Sequence, residues 1–220
     1  FQGNSCMTAR IAVLASGRGS NLQAILQAIA TGQLDAEIVG VFSDKPDAPA
    51  LQRVPPAARW SLDAKAFADR ERFDAELADA VAAAQPDWII CAGYMRILGE
   101  RFVQRFRGRL LNIHPSLLPK YRGLRTHARA LKAGDAEHGA SVHFVVPELD
   151  AGAVVMQAPV PVLPGDTAET LATRVLQVEH PLLVAALQLA ASCRISEQDG
   201  IAWLDGQAMF TPLQLQFTAQ

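Results

Sequence analysis

The chain has 220 residues, half of them hydrophobic and 19% charged, with a formal net charge of −2. A chain of this size buries a full core without metal or disulfide staples, and its near-neutral balance leaves no electrostatic footprint for nucleic acid. No apolar run reaches the roughly 18 residues of a membrane span; the best, 181–191, is broken by Gln188.

The first six residues, FQGNSC, carry no pattern and precede Met7, and are set aside as a non-native remnant. Residues 10–15 (RIAVLA) read as a strand. Residues 21–30 carry Leu22, Ile25, Leu26 and Ile29 at helical spacing. A second strand is expected at 37–42, then a weak helix at 50–58 interrupted by Pro55 and Pro56. A strong amphipathic helix follows at 70–84, a strand at 88–92, a short helix at 100–106 and a fourth strand at 110–113. This alternation predicts an α/β fold, a Rossmann-like, mostly parallel sheet with helices on both faces.

After Gly134 the pattern changes. Residues 141–146 and 154–160 flank the turn ELDAG and read as antiparallel neighbours; 168–191 reads as one long helix, and 201–204 with 208–210 as a hairpin around Asp205 and Gly206. With no repeat and no linker, residues 7–220 are expected to form a single domain. Cys6, Cys91 and Cys193 make no CxxC pair and are odd in number, which favours neither a disulfide framework nor a zinc cluster. A reducing cytoplasm is the expected compartment, no secretory signal being in view.

Two stretches carry chemistry. The turn after the first strand, ASGRGSNL, places Gly17 and Gly19 before a helix that Ser20 or Asn21 would cap. Helix N-termini suit phosphate. A dinucleotide site and a plain tight turn remain rival readings. For the dinucleotide site, Leu22 stands where the third glycine belongs, with Asp44 as a candidate ribose acid. The second stretch, LLNIHPSLLPKYRG, puts Asn112 and His114 on one face at the end of a strand. An amide N–H stabilises an oxyanion and an imidazole carries protons at neutral pH. Equally, His114 fits a packed structural histidine, and Asp150 in ELDAG an ordinary turn aspartate. His138 and His143 lack the accompanying ligands of a metal motif; His143, alternating with apolar residues on a strand, fits either a residue standing behind the Asn–His pair or a packed strand histidine.

The order SGRGSNLQAI, AGYMRIL, LLNIHPSLLPKYRG, HGASVHFV with ELDAG, and AWLDGQ resembles that of the phosphoribosylglycinamide formyltransferase family, from about residue 10 to 210. The resemblance implies transfer of a formyl group from 10-formyltetrahydrofolate to the amine of 5-phosphoribosylglycinamide in purine biosynthesis, with no metal. It implies Asn112, His114 and Asp150 as the catalytic trio. Gly17, Arg18, Gly19, Ser20 and Asn21 would hold the phosphate, and Glu179 the ribose. Arg70, Met95, Arg96, Ile97 and Leu98, with Val145, Asn112 and Asp150, would hold the folate. It further implies a phosphate-binding half at about 7–107 and a folate and catalytic half at about 108–220. Small-molecule substrates, no membrane and a monomer or homodimer are expected.

The pattern departs from many relatives at Arg122, Arg125 and Leu176. An inward Arg125 would lower the pKa of His114, whereas Asp150 would favour its charged form. Leu176 would weaken one ribose contact. A formyltetrahydrofolate deformylase, the catalytic domain of a methionyl-tRNA formyltransferase, and a non-catalytic nucleotide-binding module are the alternatives.

Overall fold

The computed structural model describes residues 8–215, so the six leading residues, Cys6 among them, lie outside it. Its centre is an eight-stranded sheet in the order β11-β7-β6-β5-β4-β1-β2-β3. The N-terminal strands β1 (Ala9–Leu14), β2 (Ala36–Ser43), β3 (Arg59–Ser61), β4 (Trp88–Cys91) and β5 (Leu110–His114) are mutually parallel. Only β6 (Glu137–Phe144) runs against its neighbours; β7 (Val154–Pro161) and β11 (Leu213–Gln214) return to the common direction.

Period-two alternation sorts the strand side chains between two cores. Along β1, Ala9, Ile11 and Val13 enter a core roofed by α1 (Ser20–Ala30) and α5 (Ala168–Ala191). Ala12 and Leu14 enter the opposite core, closed by α2 (Arg70–Ala83) and α3 (Glu100–Arg105). A strand buried on both faces must be apolar at every position, which is why these segments read as continuous runs.

The boundaries shift in instructive ways. The expected helix at 50–58 is two 3-10 segments, Pro49–Arg53 and Pro56–Ala58, because two consecutive prolines break the ladder between them. The expected C-terminal hairpin is a three-stranded sheet of β8 (Ile195–Gln198), β9 (Ile201–Leu204) and β10 (Gln207–Ala208). Phe210, assigned to that hairpin, lies outside it and is 85% exposed. Helix α4 (Thr126–Ala133) escapes a periodicity reading because only Thr126 and Ala130 are buried; its apolar stripe is too thin. Among the described residues, no helix is long and apolar enough to cross a membrane.

Candidate active site

The chain reverses its direction of growth across the sheet at β1 and β4, and ligands bind such sheets beyond the carboxyl ends at that point. The turn 15–19 follows β1, the segment 92–99 follows β4, and β5 ends at His114. Adjacent strands are about 4.8 Å apart, so β5 and β1 stand roughly 10 Å from each other. The first two loops are tied together: Ser16 N–H donates to Gly93 O (3.1 Å) and Met95 N–H to Ser16 Oγ (2.9 Å).

The 17–21 turn is open where a side-chain cap is expected. Gly19 occupies the N-cap position in the left-handed region (φ 73°), and among the described residues no side chain caps α1. A Cβ on Gly19 would fall 2.8 Å from Ala50 Cβ, so the glycine is needed for space as well as for conformation. Asn21 does not cap the helix either. Its amide donates to Glu179 Oε2 on α5 (3.1 Å), and burial raises the pKa of Glu179 against that hydrogen bond. Leu176, one turn earlier on α5, is 39% exposed. Asp44, the would-be ribose acid of a dinucleotide site, is buried and accepts the Ser16 hydroxyl at 2.5 Å, so its carboxylate serves the turn itself.

Asn112, His114 and Asp150 converge. His114 Nδ1 lies 3.4 Å from Asp150 Oδ2, and His114 Nε2 lies 2.9 Å from the Tyr121 carbonyl oxygen. Asp150, in the turn between β6 and β7 with φ 49°, is anchored by the Gly123 N–H (2.9 Å). The antiparallel register of β5 and β6 sets Asn112 opposite His143. There Asn112 Nδ2 lies 3.1 Å from His143 Nε2, while His143 Nδ1 lies 2.8 Å from its neighbour's carbonyl, Phe144 O. A donor at His143 Nδ1 and an acceptor at Nε2 satisfy both contacts, and leave Asn112 one free amide N–H. His143 Nε2 is 3.6 Å from Asp150 Oδ1.

Residue spacing brought out Asn112 and His114 and left His143 as a candidate behind them, but gave neither its contact with Asn112 nor the supporting Tyr121 carbonyl. The alternating polar position of His143 opposite the end of β5 was the only signal, and it becomes meaningful once the register is known.

The electrostatics correct one expectation. The pKa of His114 is lowered, because burial outweighs the opposing Tyr121 carbonyl and Asp150. The charges that add to this effect are His143, when protonated, and then Arg129; Arg125 is exposed. Arg122 is exposed too and pairs with Glu148 (3.0 Å). The carboxyl of Asp150 is held below its ordinary range: burial pushes it up, but His143, the Gly123 N–H and His114 more than offset this.

Beside Asn112 and Asp150 opens a cleft of about 100 Å³ on the α2/α3 face, lined also by Cys91, Tyr94, Ile97, Leu98 and Val145. Burial pushes the Cys91 thiol up to about 12, so it acts as a small apolar wall group. Met95 and Ile97 stand exposed at 66% and 51%. Arg96 lies over the Phe73 ring (4.9 Å), and Arg70 donates to the Ile97 carbonyl. His138 pairs instead with His127 (3.1 Å), and no group of three or more potential metal ligands gathers among the described residues.

The formyl transferase family model matches residues 9–187. The phosphoribosylglycinamide formyltransferase of Escherichia coli is 48% identical over 201 residues, covering 90% of this chain and 95% of that protein. The solved phosphoribosylglycinamide formyltransferase of Coxiella burnetii superposes with a TM-score of 0.88 at 42% identity, covering 94% of this chain and 99% of that one. A formyltetrahydrofolate deformylase from Pseudomonas syringae is more distant, at 27% identity and a TM-score of 0.80, covering 90% of this chain and 66% of that one. With its sheet, its two glycine-turn and Asn–His loops, and near full-length similarity, the chain belongs to the formyl transferase family, among its phosphoribosylglycinamide formyltransferases.

Proposed function

We propose that this chain transfers the formyl group of 10-formyltetrahydrofolate to the amine of 5-phosphoribosylglycinamide, in the cytoplasm, as a step of purine biosynthesis. The observation that carries the site assignment is the convergence of Asn112, His114 and Asp150 beside a cleft, one strand away from the open end of α1. The N-terminal half, about 7–107, supplies the phosphate turn and the segment 95–98. The C-terminal half, about 108–220, supplies the catalytic trio.

The substrate phosphate sits on the free N–H groups of the 17–21 turn, beside Arg18, where the helix dipole favours negative charge. Glu179 takes a ribose hydroxyl, held in place by Asn21. The folate enters the cleft between Arg70, Met95, Arg96, Ile97 and Leu98 on one side and Val145 on the other. The amine then meets the formyl carbon beside Asn112.

Attack forms the new C–N bond and pushes the carbonyl electrons onto oxygen. The second N–H of Asn112 receives that oxyanion. Before attack, neutral His114 donates from Nε2 to Tyr121 O and keeps a lone pair on Nδ1 beside Asp150. The lowered pKa keeps this lone pair available near neutrality. The ring takes the proton that the amine loses; the imidazolium is then held between two acceptors and returns the proton to the folate nitrogen as its C–N bond breaks. No protein bond to the formyl carbon forms. Holding both substrates at one point supplies much of the rate.

The test is a two-substrate assay with 10-formyltetrahydrofolate, run with and without 5-phosphoribosylglycinamide. Folate release only with the ribonucleotide is expected. Release in its absence would favour the deformylase reading that the more distant relative keeps open. Replacing His114 by Ala should lower turnover by roughly 10²–10⁴ while folate still binds; near-normal turnover would remove His114 from the mechanism.

A further inference from the structure

One turn of α2 grips the segment that forms the cleft wall, and it does so at three points. Arg70, Phe73 and Asp74 share a helix face, being three and four residues apart. Arg70 donates to the Ile97 carbonyl, and the Phe73 ring lies under Arg96. Asp74 Oδ2 accepts the Gly99 N–H at 2.9 Å, just where α3 begins. Asp74 is a buried acid, 6% exposed, and the Gly99 contact is the only side-chain hydrogen bond of its carboxyl among the described residues; Arg70 Nε stands 4.0 Å away. The fit at Gly99 is close. A Cβ there would come within 2.6 Å of Asp74 Oδ2.

The gripped segment 94–99 contributes Tyr94, Ile97 and Leu98 to the cleft. Met95 and Ile97 are more than half exposed, and apart from the α2 contacts the segment is tied down by the Met95 N–H bond to Ser16 Oγ (2.9 Å). An isolated buried carboxyl costs free energy unless it is hydrogen-bonded, so its placement here needs a reason. We propose that Asp74 is a positioning residue for folate binding: by capturing the Gly99 N–H it sets the 94–99 segment at the distance from Asn112 and Val145 that the cleft requires. The proposal rests on the reading of this cleft as the folate site.

The other oxygen, Oδ1, is buried without a hydrogen-bond partner, and burial raises the carboxyl's pKa above its ordinary value. The contact to Gly99 itself needs an acceptor oxygen rather than a charge. An amide in its place still offers Gly99 an acceptor oxygen.

The experiment compares Asp74→Ala, Asp74→Asn and Gly99→Ala with the parent chain, reading both KM values, kcat, and direct binding of a formyl-free folate. Losing one hydrogen bond of ordinary strength should raise the folate KM and dissociation constant about fivefold to tenfold in Asp74→Ala. The KM for 5-phosphoribosylglycinamide and kcat should stay within about twofold. Asp74→Asn should restore folate binding. Gly99→Ala, which disturbs the same contact from the loop side, should reproduce the loss, and stands in if Asp74→Ala fails to fold. A uniform loss in all constants, or unchanged folate binding in both alanine variants, overturns the proposal. Ile97→Ser, at an exposed edge of the same cleft, separates the two readings. If it leaves folate binding unchanged, the cleft assignment falls and the proposal with it; if it weakens binding while Asp74→Ala does not, the positioning role alone falls.

Discussion

Two acceptors face the ring of His114, yet its pKa lies below that of a free histidine. The carbonyl of Tyr121 and the carboxylate of Asp150 both favour the imidazolium, but removal of the ring from water costs more. The neutral ring with Nδ1 turned to Asp150 is thus favoured, and Asp150 and the Tyr121 carbonyl are set to stabilise the charge once a proton arrives. Asp150→Asn tests this balance. Asparagine tolerates the φ of 49° at this position and still offers the Gly123 N–H an acceptor, so the backbone should persist. With the carboxylate charge gone, the burial, His143 and Arg129 contributions stand less opposed. The titration midpoint of His114, followed by its ring-proton NMR signals, should move further down, and turnover should fall. An unchanged or raised midpoint would uncouple the two residues.

At the level of elements, α5 does two tasks. Its first turn is locked by a reciprocal Thr167–Thr170 capping box and by Arg174 on Asp166 (2.6 Å). Its apolar face, through Leu171, Val175, Leu182, Leu183 and Leu187, covers β6 and β7 and meets α1. That packing is what brings Glu179 to Asn21 across 158 positions of sequence. Leu187 is fully buried in this layer, so Leu187→Ala should cost about 2–5 kcal/mol, read as a melting point lower by on the order of 10 °C. A change below about 1 kcal/mol would mean that the layer relaxes into the gap. The length and apolar face of α5 were legible from periodicity. Helix α4 was not, since two buried residues in eight make no stripe, and its start at Arg125 in a left-handed conformation carries no capping signal.

Across the whole molecule, buried histidines make folding sensitive to acid. His138 is 1% exposed, contacts His127 (3.1 Å) and the Pro115 carbonyl, and feels the charges of Asp135 and His114. Burial, then His127, lowers it from 6.5 to about 4. A histidine with a depressed folded pKa contributes stability that is complete above pH 6.5 and drains as pH falls toward about 4, because the unfolded chain binds the proton first. His114 and His127 are shifted in the same direction. Urea titrations between pH 7.5 and 4 should show the midpoint concentration dropping through this window. In His138→Asn the drop should be shallower, and an equally steep decline would assign the acid sensitivity elsewhere.

The alternation of strands and helices, the mostly parallel sheet and the pairing of Asn112 with His114 on one face were all written in local patterns. Hydrophobic period and turn chemistry act between residues close in sequence, so one chain suffices to read them. The partners of those side chains were not readable in this way. That Asp150 reaches His114, that His143 orients Asn112, and that Asp44 turns inward to Ser16 depend on strand register and on loops meeting across the sheet. Nor does sequence spacing reveal that burial outweighs the charge beside His114. Desolvation is set by everything packed around a group, and that exists only when the sheet and its two helical layers have closed.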